Sequence, residues 1–383
     1  MRKLVLLAYL LIMTSLLYAE PIEIGGLYYN IIEKGGIAEV SQVPQGKNNY
    51  NGDIVIPSKI EYNEKNYNVT VIGEYAFHDS DIKSVTIPST ITTIKREAFI
   101  RCSSLRDFNI SDLEAWCRID FGFNCINLEE HHINLNGVEI TELVIPDGIE
   151  SIPDLAFSGC INIISVKIPE GVKSIGESTF NCCKNLKSIS FPNSLTSIGE
   201  GGLRDCGFDS FSFSDGITDL GMYVLCACQN LKQLSFPNKL ETIKGYSCRF
   251  CPNLSSITIG ENVKEIQYEA FADCPEIENV YCFAKDVPNT KDNVPFRNSY
   301  IEFATLHVPA ESVDKYKADS EFGQFGSIVA ITDSEMTNIN AVSITPHRIM
   351  IYTLDGIQHK DTQKGLNIIK SEDGKTRKIY IRK

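Results

Sequence analysis

A period of 23 residues governs this chain. Aligned on its Ile-Pro or Phe-Pro dipeptides, the sequence marks Pro88, Ser111 in the equivalent slot, Pro146, Pro169, Pro192, Ser214, Pro237, Gly260 and Phe283. The steps are 23, 35, 23, 23, 22, 23, 23 and 23 residues. A second marker, the cysteine closing an Ala-Phe-x-x-Cys-like turn, returns at Cys102, Cys160, Cys183, Cys206, Cys228, Cys251 and Cys274 with the same period. Two chemically unrelated markers holding one step identify a repeat architecture. They overrule the two or three compact domains that 383 residues would otherwise allow.

Each unit reads approximately L-x-x-I-x-I-P-x-x-V-x-x-I-G-x-x-A-F-x-x-C, seen cleanly from Ile163 to Cys183, with Val166, Ile168, Val172, Ile175 and Phe180 as apolar positions. The Ile-x-Ile or Ile-x-Phe pair alternates with polar residues, as a strand with one buried face requires. Proline then ends the strand, having no N–H for the ladder. Asp147-Gly148, Glu170-Gly171 and Asp215-Gly216 turn the chain, and Gly73, Gly176, Gly199 and Gly221 are expected to supply a second bend at positive φ. A coil this short cannot bury its apolar face alone, so stacking must supply the core, with strands of successive coils forming a parallel sheet. The expected fold is a repeat solenoid, leucine-rich-repeat-like and right-handed, with β-rich caps.

The remaining segments read differently. Arg2 and Lys3 precede an apolar stretch from Leu4 to Met13 with a small-residue exit at Ala19, the pattern of a signal peptide over residues 1–19. No later segment is apolar enough to span a bilayer. Residues 20–56 form an expected N-terminal β cap, 57–283 the repeats with one longer unit at 111–146, 284–331 a C-terminal cap and 332–383 a small β module. The net charge of −13 disfavours nucleic acid, because phosphate binding needs a basic footprint. The stretch Lys360–Lys383 departs from this balance with eight basic and three acidic residues.

The motif I-P-x-x-V-x-x-I-G-x-x-A-F-x-x-C resembles the BspA-like leucine-rich repeat family of bacterial surface proteins. Gly52 to Phe77 is similar to that family's N-terminal cap, and the long unit with Trp116-Cys117 and His131-His132 to its longer repeat. Ile301 to Ile331, with Leu306-His307-Val308-Pro309, is similar to its C-terminal cap. The resemblance implies a secreted or surface-displayed adhesion protein that takes a protein or glycan ligand, without naming the ligand. The chain's end, Ile349 to Gly356, Lys364 to Ile369 and Lys378 to Lys383, resembles the terminal part of type IX secretion sorting domains. That likeness implies contact with outer-membrane secretion machinery, although the segment is shorter than the full sorting domain. On its residues alone it reads as strands separated by turns at Asp355-Gly356 and Asp373-Gly374.

Candidate chemistry is sparse. Thirteen cysteines in an exported chain would ordinarily form a disulfide framework. Seven of them occupy one repeat slot, however, and a buried Cys serves there as a small apolar residue with a weak S–H donor. Free structural thiols are the expectation for this ladder, with Cys117 and Cys125 the pair best suited to a bridge. Cys248-x-x-Cys251 and Cys226-x-Cys228 match metal or redox spacings, but Cys251 and Cys228 already belong to the ladder. Adjacent His131 and His132 point to opposite sides if extended. His78, His307, His347 and His359 lie near no nucleophile in sequence. No phosphate loop, nucleophile elbow or zinc-protease motif is visible, so no enzyme, cofactor or metal is implied.

A binding role directs attention to the outward residues of the repeat strands. These are Ser84, Thr86, Asp107, Asn109, Glu142, Val144, Ser165, Lys167, Ser188, Ser190, Ser210, Ser212, Gln233, Ser235, Ser256, Thr258, Asn279 and Tyr281. Most are small and hydroxylated, whereas protein hot spots favour Trp, Tyr and Arg. A merely solvated, strand-compatible face and a structural spacer role therefore stand beside the binding reading. Trp116, in the long unit, reads as part of a satellite core.

Overall fold

The computed structural model describes residues 20–126, 130–290 and 293–332, and the backbone of Met350–Thr353, Gln358–His359, Gly365–Lys370 and Thr376–Ile381. The expected signal peptide, and the turns at Asp355-Gly356 and Asp373-Gly374, lie outside these residues. The chain divides into two units, Met1–Ala330 and Ile331–Lys383.

The first unit is a parallel β-solenoid whose coils each have two strand sides and one turn side. On the outer side, Glu142–Val144, Ser165–Lys167 and Ser188–Ser190 pair in parallel at exact repeat register, Leu143 against Val166 against Ile189. The central residue of each strand faces the core, as the two-residue alternation demands. A second ladder, just before the glycines expected to form a bend, runs through Ser151–Ile152, Ser174–Ile175, Ser197–Ile198 and Asp219–Leu220. Two residues per coil are too few to show alternation, which is why the pattern hides this side.

The glycines that follow the second ladder correct a further expectation. Gly73, Gly176, Gly199 and Gly221 do not have positive φ. They are required by close approach: a Cβ on Gly199 would sit 2.6 Å from the Glu177 nitrogen, and one on Gly73 2.6 Å from the Val40 carbonyl oxygen. Asp215-Gly216 likewise lacks the positive φ found at Gly148 and Gly171.

On the turn side each coil makes successive reverse turns. In the first, the Ala76 amide donates to the Gly73 carbonyl with Tyr75 at φ +55°, and the Ser80 amide to Phe77 with Asp79 at φ +53°. Type II geometry of this kind normally takes glycine. Here the slots hold Leu155, Ser178, Tyr223, Tyr246 and Glu269, then Cys182, Asp205, Ala227, Phe250 and Asp273, all left-handed. Each such residue costs about 1–2 kcal/mol. Hydrogen bonds between coils offset that cost, as from the Phe157 amide to Thr179 and from Phe180 to Gly202.

The outer sheet is not one continuous ladder. It divides into segments of five, three and six strands. The first break falls at the long repeat, which adds the capped helix Leu113–Trp116 and the hairpin His132–Leu135 with Val138–Glu139. The second falls at the 22-residue step, where one residue fewer separates Cys206 from Ser210 than Cys183 from Ser188. Inside, one cluster of buried side chains runs from Leu27 through the coils to Phe325. Antiparallel strands Ile22–Ile24, Leu27–Ile32 and Ile37–Ser41 extend the second-strand side at the N-terminal end. At the other end Thr305–Val308 and Ser327–Ala330 continue the outer ladder in parallel.

The second unit is a four-stranded antiparallel sheet of Gln358–His359, Met350–Thr353, Gly365–Lys370 and Thr376–Ile381 in that order.

Candidate binding faces

The outward residues form two files on each outer sheet segment. In the six-stranded segment one file is Ser210, Gln233, Ser256, Asn279, Thr305 and Ser327, and the other Ser212, Ser235, Thr258, Tyr281, His307 and Val329. In the three-stranded segment the files are Glu142, Ser165, Ser188 and Val144, Lys167, Ser190. None of the outward residues named from the sequence is buried, because alternation sets them opposite the core-facing residue.

Two placements differ from the sequence reading. Asp107 and Asn109 stand beside His132 and Asn134 of the long repeat rather than beside Glu142 and Val144. Asn134 donates from Nδ2 to Asp107 and Asn109, both at 3.1 Å. The alternation His132-Ile133-Asn134-Leu135 was the available signal, masked by the irregular spacing around it. Thr305 and His307, assigned to the cap, also continue the files. His307 stacks on Tyr281 with centroids 4.3 Å apart at 22°, and its Nε2 lies 3.1 Å from the Asn279 Oδ1.

The cysteine ladder lies inside the turn side. The thiols of Cys102, Cys183, Cys206, Cys228 and Cys251 donate to the carbonyls of Phe77, Phe157, Phe180, Leu203 and Leu225 in the preceding coils, at 2.9–3.5 Å. Cys274 donates to Cys248 at 3.1 Å. One coil further on, the Ser299 hydroxyl donates to Phe271 at 2.6 Å, the same bond made by oxygen. Cys160 differs, with its sulfur 3.5 Å from Nε2 of buried His131. Burial pushes the Cys102 and Cys228 thiols up to about 12, and those of Cys183 and Cys206 well above their ordinary value. All thirteen cysteines are unbridged, Cys117 and Cys125 included. Trp116 is buried and donates from Nε1 to the Ala156 carbonyl at 2.9 Å.

The family model described as "BspA type Leucine rich repeat region (6 copies)" matches residues 57–145, 134–206 and 150–278, together more than half of the chain. The chain belongs to the BspA-type leucine-rich repeat family. Among solved structures, this BspA-type chain is similar to a leucine-rich cell surface protein of Faecalibacterium prausnitzii. That match has 18% identity and a TM-score of 0.49, over 83% of this chain and 96% of the other. A leucine-rich repeat protein of Bacteroides ovatus matches at 20% identity and TM-score 0.32, over 81% of this chain and 100% of the other. The leucine-rich repeat protein of T. pallidum matches at 19% and 0.36, over 54% of this chain and 84% of the other. Comparison with curated protein sequences finds no match.

No helix among the described residues is long and apolar enough to cross a membrane. Among those residues no group of three or more His, Cys, Asp or Glu is arranged to hold a metal ion.

Proposed function

We propose that this BspA-type solenoid is an exported, non-catalytic adhesion protein that binds an extracellular protein or glycan on its outer sheet face. The observation that carries the reading is the end of the outward files in the six-stranded segment. A run of small hydroxylated side chains there gives way to the Asn279–Tyr281–His307 cluster. Tyrosine brings large contact area at low entropic cost, and the stack on His307 holds it in place. Lys167 and Glu142 supply exposed charge in the three-stranded segment.

The test is saturable binding of the full chain to an array of extracellular matrix proteins and glycans. Tyr281→Ala is expected to weaken the strongest interaction at least tenfold. Absence of saturable binding across the array returns the chain to a spacer role. The second unit is read as an export address that meets outer-membrane secretion machinery. Its strands support that reading, and its basic end distinguishes it from the acidic body. Deleting residues 349–383 is expected to leave the solenoid folded and abolish surface display; unchanged display rejects the assignment.

A further inference from the structure

The turn side changes character in its C-terminal coils. Where the three preceding coils place Leu155, Ser178 and Gly201 in the first left-handed slot, the next two place Tyr223 and Tyr246. These rings stack at 4.7 Å and 3°, and Tyr268 meets Tyr246 at 5.6 Å and 75°. Arg204 lies 5.9 Å from the centre of the Tyr223 ring, and Arg249 lies 5.6 Å from Tyr246 and 4.4 Å from Phe250. Phe250 is 47% exposed and Tyr268 39%.

The cluster is held rigid from beneath. Glu269, whose side chain is 3% exposed, pairs with Arg249 at 2.7 Å and Arg297 at 2.8 Å, and Asp273 takes Arg249 at 3.0 Å. A carboxylate buried at a solvent-facing turn fixes two guanidinium groups in position. Pre-organised aromatic and arginine side chains lose little entropy when a partner arrives, and Tyr and Arg are the residues that dominate protein hot spots.

The arrangement also selects among ligand chemistries. A sugar ring stacks on an open aromatic face, but the facing sides of Tyr223 and Tyr246 are occupied by each other, and guanidinium groups lie against both rings. Ring edges, an exposed phenylalanine and cations remain for a partner. Arg249 and Arg297 have carboxylate partners; exposed Arg204 has no ion pair among the described residues. In a chain of net charge −13 an exposed guanidinium that makes no salt bridge among those residues is complementary to a carboxylate from outside.

We propose that Arg204, Tyr223, Tyr246, Arg249, Phe250 and Tyr268 form a second docking site, on the turn side, for a polypeptide that presents a carboxylate beside apolar side chains. The site is separate from the outer sheet face and rests only on the reading of the protein as a binder.

The test selects a phage-displayed library of random peptides against the immobilised full chain and measures the winning synthetic peptides by fluorescence polarisation. Enrichment of Asp or Glu next to aromatic or aliphatic residues is the expected outcome. Arg204→Glu, a change at an exposed residue with folding checked by an unchanged urea midpoint, should weaken those peptides at least tenfold and favour Lys-bearing peptides in a repeat selection. Tyr246→Phe, which keeps the stacked ring, should retain binding within about threefold, while Tyr281→Ala on the outer sheet leaves it unchanged. The site is overturned by peptides without a carboxylate, by equal binding to the Arg204→Glu chain, or by no enrichment over the empty support. Failure of array binding while the selected peptides still bind would overturn the outer-sheet reading and leave this site standing.

Discussion

On the outer sheet face a coil presents residues by alternation, and their neighbours are their equivalents one period away, as Ser165 lies between Glu142 and Ser188. On the turn side the same coil presents residues from left-handed slots, and their neighbours are held by stacked rings and ion pairs, as Tyr246 lies between Tyr223 and Tyr268. Strand geometry fixes the outer residues whatever their identity, so small hydroxyls suffice. Turn geometry leaves the side chain free to point at solvent, and aromatic, arginine and carboxylate residues accumulate there. One coil therefore builds a regular face and an individual one.

The largest expected effects come from breaking the spine both faces share. Phe180 is fully buried and stacks on Phe157 at 5.6 Å and 9°. Phe180→Ala should cost about 3–5 kcal/mol, read as a lower urea midpoint. An exposed outer residue such as Ser190→Ala should move the same midpoint by less than about 0.5 kcal/mol. Equal effects at the two positions would show that the coils do not share a core.

Legibility in the sequence follows the same division. The strand file was readable because Val166 and Ile168 alternate with Ser165 and Lys167, and the period repeats that alternation many times. The second ladder was not, since Ser174–Ile175 and its equivalents contribute one inward residue per coil. The turn-side cluster was invisible for a different reason. Tyr223, Tyr246 and Glu269 occupy slots that backbone preference assigns to glycine, so no rule singles them out until the φ angles are known. His132 and His307 join the outer files because the long repeat and the cap each contribute a strand at sheet register, which their departures from the period concealed.

The thiol ladder gives the turn side a pH dependence. The folded Cys102 and Cys228 thiols ionise near 12, above the unfolded value of about 8.5. A raised pKa for an acid means that the fold holds the neutral form. The contribution is complete below about pH 8.5 and is lost as pH climbs toward 12. Within that window each thiol removes about 1.4 kcal/mol per pH unit. Urea midpoints between pH 8 and 11 should fall steeply for the native chain, and less steeply for Cys102→Ser/Cys228→Ser. Ser299 already makes the equivalent bond, so serine keeps a donor at these positions. Identical slopes in the two chains would mean that the ladder thiols do not report folding.

Glycine substitutions separate close approach from backbone conformation, and their effects are smaller. Gly199→Ala places a Cβ 2.6 Å from the Glu177 nitrogen, a contact that only movement between coils relieves. Overpacking of this kind costs about 1–3 kcal/mol. Gly171→Ala meets nothing within 4 Å and carries only the strain of φ +100°, worth about 1–2 kcal/mol. The two changes should therefore differ less in urea midpoint than in kind. Gly199→Ala disturbs the contact with the preceding coil and should speed hydrogen exchange at the Gly176 and Gly199 amides, whose bonds to Ile152 and Ile175 join successive coils. Gly171→Ala should leave those amides protected, because its strain is confined to the loop between the two strand sides. Equal exchange in both variants would mean that the spacing between coils is not set by the glycine column.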